Sequence, residues 1–196
     1  ESLSVSAPGV VLSVLSDTDS VERELAEGIL DFAIDIDKPL GTDIQATHLV
    51  NYSPSIWMRE GHPLAEQNPI TLDEILEYPF VQYYLLIAKR VSARTDARFD
   101  KTLRKLGRKR TKALVTKQFM TAMETISRSD CLMVAARYGH TIEENTYPIV
   151  RKGFPDDLPH EQTITLVLLQ HDRTFESPIH RWLVSQITEV IMSKGD

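Results

Sequence analysis

The chain has 196 residues, of which 42% are hydrophobic and 26% are charged, a composition typical of an ordinary globular protein of one large or two small domains. No apolar run reaches the ~18–20 residues of a transmembrane helix. The first residues show no signal peptide. The single cysteine, Cys131, excludes an intrachain disulfide and is expected to be a small buried residue. These features favour a cytoplasmic protein without membrane contact.

The net charge of −6 is unevenly distributed along the chain. Residues 1–88 hold 15 acidic and 3 basic residues, whereas residues 89–117 hold 12 basic and 2 acidic residues. Three interpretations of this basic run stay open: a solvated helix face, a contact with an acidic neighbouring subunit, or a contact with nucleic acid. Nucleic acid is the least favoured, because the run lacks interleaved surface aromatic residues.

The first predicted unit is a strand, a helix and a second strand. The first strand covers residues 10–15, the helix runs from about Val21 to Ala26 and ends at Gly28, and the second strand covers residues 29–35. Three such elements within ~26 residues predict a βαβ unit with two parallel strands.

The remaining pattern alternates strands and helices and indicates the α/β class. Residues 44–58 are predicted to form one or two strands, interrupted at Ser53-Pro54. Further strands are predicted over residues 80–87, 110–117, 131–136, 147–150 and 163–170, and helices over residues 72–77, 96–106, 119–127 and 178–192. A break near residues 52–68 indicates passage into a second lobe, and the turn geometry there accounts for His62 without any chemistry.

Motifs for catalysis or metal binding are missing from the sequence. It has no Gly-rich phosphate loop, no metal-ligand spacing and no nucleophile elbow. Asp31, Asp35 and Asp37 alternate along an extended stretch, which favours a solvated strand end over a catalytic carboxylate pair. We therefore expect no enzyme activity, no metal and no cofactor.

Two strand-to-helix turns and one strand end are the candidate ligand-binding features. In parallel α/β sheets, ligands bind at the carboxyl ends of strands, where helix N-termini offer free N–H groups. The candidates are Asp17, Thr18, Asp19, Tyr83, Tyr84, Lys117, Gln118 and Phe119. The alternative for Thr18 is a simple helix N-cap. The separate alternative for Tyr83 and Tyr84 is that one is a core residue and the other a surface residue. A small polar or aromatic molecule would suit these groups.

Several segments, in the same order along the chain, resemble the LysR-type transcriptional regulators. They are residues 25–34 with Gly28 and Asp31, residues 58–65 around the Gly61-His62-Pro63 turn, residues 70–75 with Tyr78-Pro79, and residues 180–183. The set covers nearly the whole chain. Its departures are the absence of the winged helix-turn-helix, of the first strand and most of the first helix, and the stretch Ala135-Ala136-Arg137 in place of a proline-containing strand end.

The resemblance implies a C-terminal effector-binding domain, truncated at its N-terminal end, with a fold like that of type II periplasmic binding proteins. Two Rossmann-like lobes would be joined by two crossing strands: lobe I from residues 1–54 and 164–196, and lobe II from residues 55–163. An inducer, with aromatic and carboxylate compounds as candidates, would bind in the cleft. The family also implies a homodimer or homotetramer that contacts DNA only through the missing domain. The missing first strand predicts an exposed edge, a swapped strand or a marginally stable lobe I. A transporter's solute-binding protein of the same fold is the alternative.

Overall fold

The computed structural model describes residues 5–15, 20–84, 97–137, 146–158 and 163–192. The strands are β1 (Ala33–Ile36), β2 (Ile44–Arg59), β3 (Phe80–Tyr83), β4 (Lys112–Thr116), β5 (Leu132–Arg137), β6 (Ile149–Gly153) and β7 (Ile164–His171). The helices are α1 (Val21–Glu27), α2 (Leu72–Leu76), α3 (Arg98–Lys105), α4 (Phe119–Ser127), α5 (Asp172–Phe175) and α6 (Pro178–Met192). The predicted alternation of strands and helices is therefore confirmed, and the short helix α5 was not predicted.

The long strand β2 joins two groups of strands. Residues 44–52 of β2 pair antiparallel with β7, and residues 53–59 pair with β5 and β6 on the two edges of the strand. The sheet order is β1-β7-β2-β5-β3-β4, with β6 beside β2. We call β1, β7 and residues 44–52 the first strand group, and the remaining strands with residues 53–59 the second strand group.

The predicted interruption at Ser53-Pro54 does not occur, because β2 runs through it as one strand. Pro54 lies opposite Ala136 of β5, and the pairing with β6 begins only at Ser55. The N–H that proline lacks is therefore not required by β6 at this position.

Helices cover both faces of the first strand group. Successive side chains of a strand point to opposite faces, so β7 presents Val167 and Leu169 to one face and Leu166 and Leu168 to the other. Leu25 of α1 is buried against the first pair. The second pair packs against three apolar residues of α6: Val184, Ile187 and Ile191. The predicted helix end at Gly28 is confirmed, since Gly28 caps α1 in the left-handed conformation with φ 76°.

The predicted strand over residues 10–15, and with it the parallel βαβ unit, is wrong. Val11 and Val14 are 91% and 87% exposed, and residues 10–15 pair with none of the described strands. β1 instead pairs antiparallel with β7, with Ala33 opposite Leu169. A β-branched run forms a strand only where a neighbouring strand completes its hydrogen bonds, and local propensity cannot supply that neighbour.

The alternating aspartates were expected to be solvated, and this is wrong for one of them. Asp35 is buried in β1, where its carboxylate accepts hydrogen bonds from the Ile36 N–H at 2.8 Å and from the Lys38 ammonium. Asp31 and Asp37 are exposed, as expected.

Two apolar clusters cover the two faces of the second strand group. One cluster includes Ile56, Phe80 and Leu132 and receives α2 and α3. The other includes Met133 together with Ala122, Met123 and Ile126 of α4. Cys131 belongs to the second cluster and is buried, as predicted.

A buried ion pair ties α3 to the strands that carry the candidate site. The Arg110 side chain is 1% exposed, and its Nε donates to Asp100 Oδ1 at 2.8 Å. The Lys112 ammonium lies 2.9 Å from Asp100 Oδ2, and Arg110 also donates to the side chain of Gln82 on β3. Burial alone would raise the pKa of Asp100, but the hydrogen bonds and charges of Arg110 and Lys112 hold that pKa below its ordinary value.

Neutralising Asp100 tests this ion pair. We expect Asp100→Asn to lower the free energy of unfolding by about 3 kcal/mol, because it leaves the Arg110 charge buried without a counter-ion. Urea denaturation measures this change. The matched control is Asp73→Asn, whose partner Arg108 is exposed, and its expected cost is below about 1 kcal/mol. Equal costs for the two variants would contradict the assignment.

His62 is a neutral structural residue in the turn after β2. The residue is 2% exposed; its Nδ1 accepts from the Leu64 N–H at 3.0 Å, which leaves Nε2 as the donor to the Asp130 carbonyl at 3.3 Å. Burial lowers the pKa of His62. The prediction that chain geometry accounts for His62 agrees with these contacts.

The lowered pKa of His62 predicts a pH dependence of stability. Below about pH 6.5 the imidazole of the unfolded chain takes up a proton, whereas the buried imidazole does so only at lower pH. The unfolded state then binds more protons, so the free energy of unfolding should fall as the pH falls through and below about 6.5. Urea denaturation over this pH range should show a shallower fall for His62→Asn, and an identical fall would refute the assignment.

Candidate functional site

The candidate site is the edge of the second strand group at which β3, β4 and β5 end. These three strands are parallel, so their carboxyl ends lie at the same edge. Tyr83 at the end of β3 pairs with Thr116 at the end of β4. Arg137 at the end of β5 lies opposite Ser53 of β2. The edge therefore adjoins the point where β2 passes from one strand group to the other.

Tyr83 and Phe119 form an aromatic pair at this edge. Their ring centroids are 5.3 Å apart with the planes tilted by 58°, and both rings pack against the cluster that contains Met123. Burial raises the pKa of Tyr83. Its hydroxyl is therefore neutral at physiological pH and can donate and accept a hydrogen bond.

Thr116 holds the neighbouring strand end and the start of α4 together. Its carbonyl accepts from the Tyr84 N–H at 3.1 Å, and its hydroxyl accepts from the Gln118 N–H at 2.9 Å. Gln118 is the N-cap of α4, and its side-chain oxygen accepts from the Thr121 hydroxyl at 3.0 Å. The first N–H groups of α4 have no partner within the helix, which makes this terminus favourable for an anion.

On the other side of the crossing, the first strand group contributes polar groups that sequence reasoning missed. The Thr165 hydroxyl donates to Asn51 Oδ1 at 2.9 Å, and His48 Nε2 lies 3.2 Å from the same oxygen. The Asp37 N–H donates to the Thr165 carbonyl at 2.8 Å. The signal available in the sequence was the polar run Asn51-Tyr52-Ser53 inside an otherwise strand-like stretch.

The structure brings together most of the described candidates. Tyr83, Tyr84, Gln118 and Phe119 meet through the β3–β4 pairing and the turn into α4, and Lys117 lies in that turn with an exposed side chain. Asp17, Thr18 and Asp19 lie outside the described residues.

The described ranges show neither a metal-binding cluster nor a membrane span. No group of three or more His, Cys, Asp or Glu side chains in them could hold a metal ion. Among the same residues, no helix is long and apolar enough to cross a bilayer.

A separate groove of about 660 Å³ follows the outer face of α4. It is lined by Met120, Thr121, Glu124, Thr125, Arg128, Ser129 and Tyr147. The groove shares only Thr121 with the contacts described above, so it provides a second location against which ligand binding can be compared.

These features define an α/β ligand-binding domain. Two strand groups share one long strand, and hydrogen-bonding and aromatic groups collect where the parallel strands end.

The sequence matches the model of the LysR substrate binding domain over residues 2–191, and the chain therefore belongs to this family. The fold is that of the type II periplasmic-binding-like domains. The chain is an effector-binding domain of the kind that LysR-type transcriptional regulators carry, and the alternative of a transporter's solute-binding protein is not favoured.

Solved structures share this fold. One is a probable transcriptional regulator, PA0477, from Pseudomonas aeruginosa, with a TM-score of 0.76 and 24% identity; the match covers 96% of this chain and 59% of that one. The regulatory domain of MexT, a transcriptional activator of the same organism, has a TM-score of 0.71 and 21% identity, and the match covers 96% of this chain and 88% of that one. The effector binding domain of QuiR, solved in complex with shikimate, has a TM-score of 0.66 and 14% identity, and the match covers 90% of this chain and 79% of that one.

A double-mutant cycle tests the aromatic pair at the strand end. We expect Tyr83→Leu and Phe119→Leu to be coupled by about 1 kcal/mol in the free energy of unfolding, because each removes the ring that the other contacts. Urea denaturation of the two single variants and the double variant gives the coupling. Strictly additive effects would show that the rings do not interact.

Proposed function

We propose that this chain is the effector-binding and oligomerisation domain of a LysR-type DNA-binding transcriptional regulator. In this proposal a small molecule binds in the cleft between lobe I, residues 1–54 and 164–196, and lobe II, residues 55–163. One observation carries the proposal: the carboxyl ends of β3, β4 and β5 meet the point where β2 changes strand group. Ligands of open α/β sheets bind outside the carboxyl ends of strands.

The chemistry of the strand ends favours a small cyclic carboxylate. Tyr83 and Phe119 offer ring surfaces, while the first turn of α4 and the Lys117 ammonium favour a negative charge. The shikimate complex of the QuiR domain supports the same class, since shikimate is a hydroxylated ring that carries one carboxylate. We therefore propose Tyr83, Tyr84, Lys117, Gln118 and Phe119 as ligand contacts.

We keep Asp17, Thr18 and Asp19 as proposed contacts from lobe I. Two carboxylates this close in sequence disfavour a strongly anionic ligand, whereas Lys117 favours an anion. A ligand with a single carboxylate and several hydroxyls suits both sides.

Signalling requires that the ligand bind one arrangement of the lobes better than another. A molecule that contacts both strand groups would stabilise the arrangement in which its contacts are complete. The ratio of the two arrangements then shifts by the ratio of the ligand's affinities for them. In the whole protein we propose that a separate domain binds DNA, that the chain forms a homodimer or homotetramer, and that it acts in the cytoplasm without catalysis. The PA0477 chain, of which this chain spans 59%, leaves room for such a further domain.

A thermal-shift screen tests the proposal. We expect shikimate or another small cyclic carboxylate to raise the melting temperature, because a ligand that binds only the folded state stabilises it in proportion to the logarithm of its concentration over Kd. Calorimetry then gives Kd for the best compound. In the proposed site Tyr84 and Gln118 each donate one hydrogen bond to the ligand. Tyr84→Phe and Gln118→Leu should therefore each weaken binding of that compound by about fivefold.

The matched control for these variants is Tyr147→Phe. Tyr147 lines the groove on the outer face of α4, where its hydroxyl donates to the Met120 sulfur at 4.0 Å. The Kd of the Tyr147→Phe variant for the same compound should equal that of the wild type. Binding that is lost in Tyr147→Phe but retained in Tyr84→Phe and Gln118→Leu would move the site to the groove and overturn the assignment.

A further inference from the structure

The peptide group between Tyr83 and Tyr84, at the end of β3, is held from both sides. The Tyr84 N–H donates to the Thr116 carbonyl of β4 at 3.1 Å. In a trans peptide the carbonyl points the opposite way, so the Tyr83 carbonyl faces the side on which β5 lies. The pairing of β3 with β5 ends at Val81. Beyond that point the side-chain amide of Gln82 donates to the Tyr83 carbonyl at 3.1 Å and takes the place of a neighbouring strand.

A buried cation fixes the orientation of the Gln82 amide. The Gln82 oxygen accepts from Arg110 Nη2. A guanidinium has only donors, so the amide must turn its oxygen toward Arg110 and its nitrogen toward the Tyr83 carbonyl. Gln82 is 6% exposed and the Arg110 side chain 1%, so water does not compete for these bonds. Arg110 therefore determines which end of the amide meets the end of β3.

The guanidinium of Arg110 is itself confined on several sides. Its Cζ lies 5.0 Å from the ring centroid of Phe80 and 5.2 Å from that of Phe99. Nε donates to Asp100 Oδ1 at 2.8 Å and Nη2 to Oδ2 at 3.2 Å, which is the two-pronged geometry that arginine and carboxylate favour. Asp100 is anchored at the start of α3, because the Ala97 N–H donates to Oδ2 at 2.8 Å. We call Asp100, Arg110 and Gln82 the buried network.

A gain in stability does not by itself account for the buried network. Replacing a buried ion pair by apolar side chains of similar volume is often neutral or stabilising, and the space between Phe80 and Phe99 would suit such a side chain. What Arg110 adds is direction, since a hydrogen bond specifies an angle as well as a distance. Through Gln82 this direction reaches the backbone of the strand end.

We propose that Arg110 is a positioning residue for effector binding, which acts through Gln82 on the peptide group between Tyr83 and Tyr84. Successive side chains of a strand point to opposite faces, so the plane of this peptide sets the directions of both tyrosines together. A rotation of the plane would also move Tyr83 away from Phe119. The inference rests on the proposed function, because it takes these tyrosines as ligand contacts.

Amide hydrogen exchange of the ligand-free chain, followed by NMR, tests the buried network without any ligand. Gln82→Met removes both the donor and the acceptor of the amide. The Tyr84 N–H should then exchange about fivefold faster, because the peptide has lost one of its two hydrogen bonds. Gln82→Glu should raise the exchange as much, since a carboxylate still accepts from Arg110 but has no N–H. Arg110→Lys should have a similar effect, because a lysine ammonium does not reproduce the guanidinium fork.

A double-mutant cycle distinguishes an action through Gln82 from a general loss of structure. In the Gln82→Met background, Arg110→Lys should cause no further rise in Tyr84 exchange, although it should still lower the midpoint of urea denaturation. Calorimetry with shikimate gives the same cycle for binding. Each single variant should raise Kd by about fivefold, and the double variant should raise it no more than either.

The matched control is Ile75→Val. Ile75 is fully buried in the cluster that receives α2, so this variant destabilises the same strand group without removing a bond of the buried network. It should leave both Tyr84 exchange and the Kd for shikimate unchanged. If Arg110→Lys does not fold by circular dichroism, Arg110→Met takes its place in the cycle.

Two results from the exchange measurements would overturn the proposal: unchanged Tyr84 exchange in Gln82→Met, or additive effects of the two substitutions. Faster exchange with an unchanged Kd would overturn it as well, because the buried network would then hold the strand end without serving the ligand. A wild-type chain that binds neither shikimate nor another compound of the screen would count against the proposed function. In that case the exchange cycle still decides whether Arg110 acts through Gln82.

Discussion

One strand of 16 residues, β2, constrains most of this structure. Its first half hydrogen-bonds to β7 and its second half to β5 and β6, so the two strand groups share a continuous backbone. A β-strand is extended and stiff compared with a loop, because ladder hydrogen bonds to its neighbours fix its backbone. The passage from one group to the other therefore has a defined place, between residues 52 and 53. The candidate site takes its position from that place.

Packing beneath the site explains how the strand ends hold their positions. Gln82 lies directly before Tyr83 on β3, donates to the Tyr83 carbonyl at 3.1 Å, and accepts from buried Arg110. Arg110 is in turn fixed by Asp100 at the start of α3. The ion pair thus links a core helix to the backbone of the proposed ligand contact.

Sequence patterns predicted the elements whose signals are local. Apolar spacing and end signals located α1 with Gly28, α4 and α6, and a short apolar run located β7 within one or two residues. The turn chemistry of strand ends also selected Tyr83, Tyr84 and Gln118, which the fold brings to one edge. The predictions of these elements succeeded because each depends on neighbours within a few residues, whereas the choice of Tyr83, Tyr84 and Gln118 as ligand contacts stays a prediction.

The predictions that failed depend on distant partners. The apolar residues 10–15 have the composition of a strand, yet none of the described strands pairs with them. Pro54 suggested a strand break, but the edge that it occupies requires no hydrogen bond there. The Asn51–Thr165 bond joins residues 114 positions apart, and the burial of Arg110 depends on Asp100 and Gln82 from two other elements. Such pairings are set by tertiary structure, which a single sequence does not display.

The central claim is that a small molecule binds where the parallel strands end beside the crossing of β2. Amide hydrogen exchange with and without the carboxylate that most raises the melting temperature measures this most directly. The account predicts slower exchange on binding at Tyr84 and over the first turn of α4, with no change in α6. Slower exchange confined to the groove beside Tyr147, or no change at the strand ends, would contradict it.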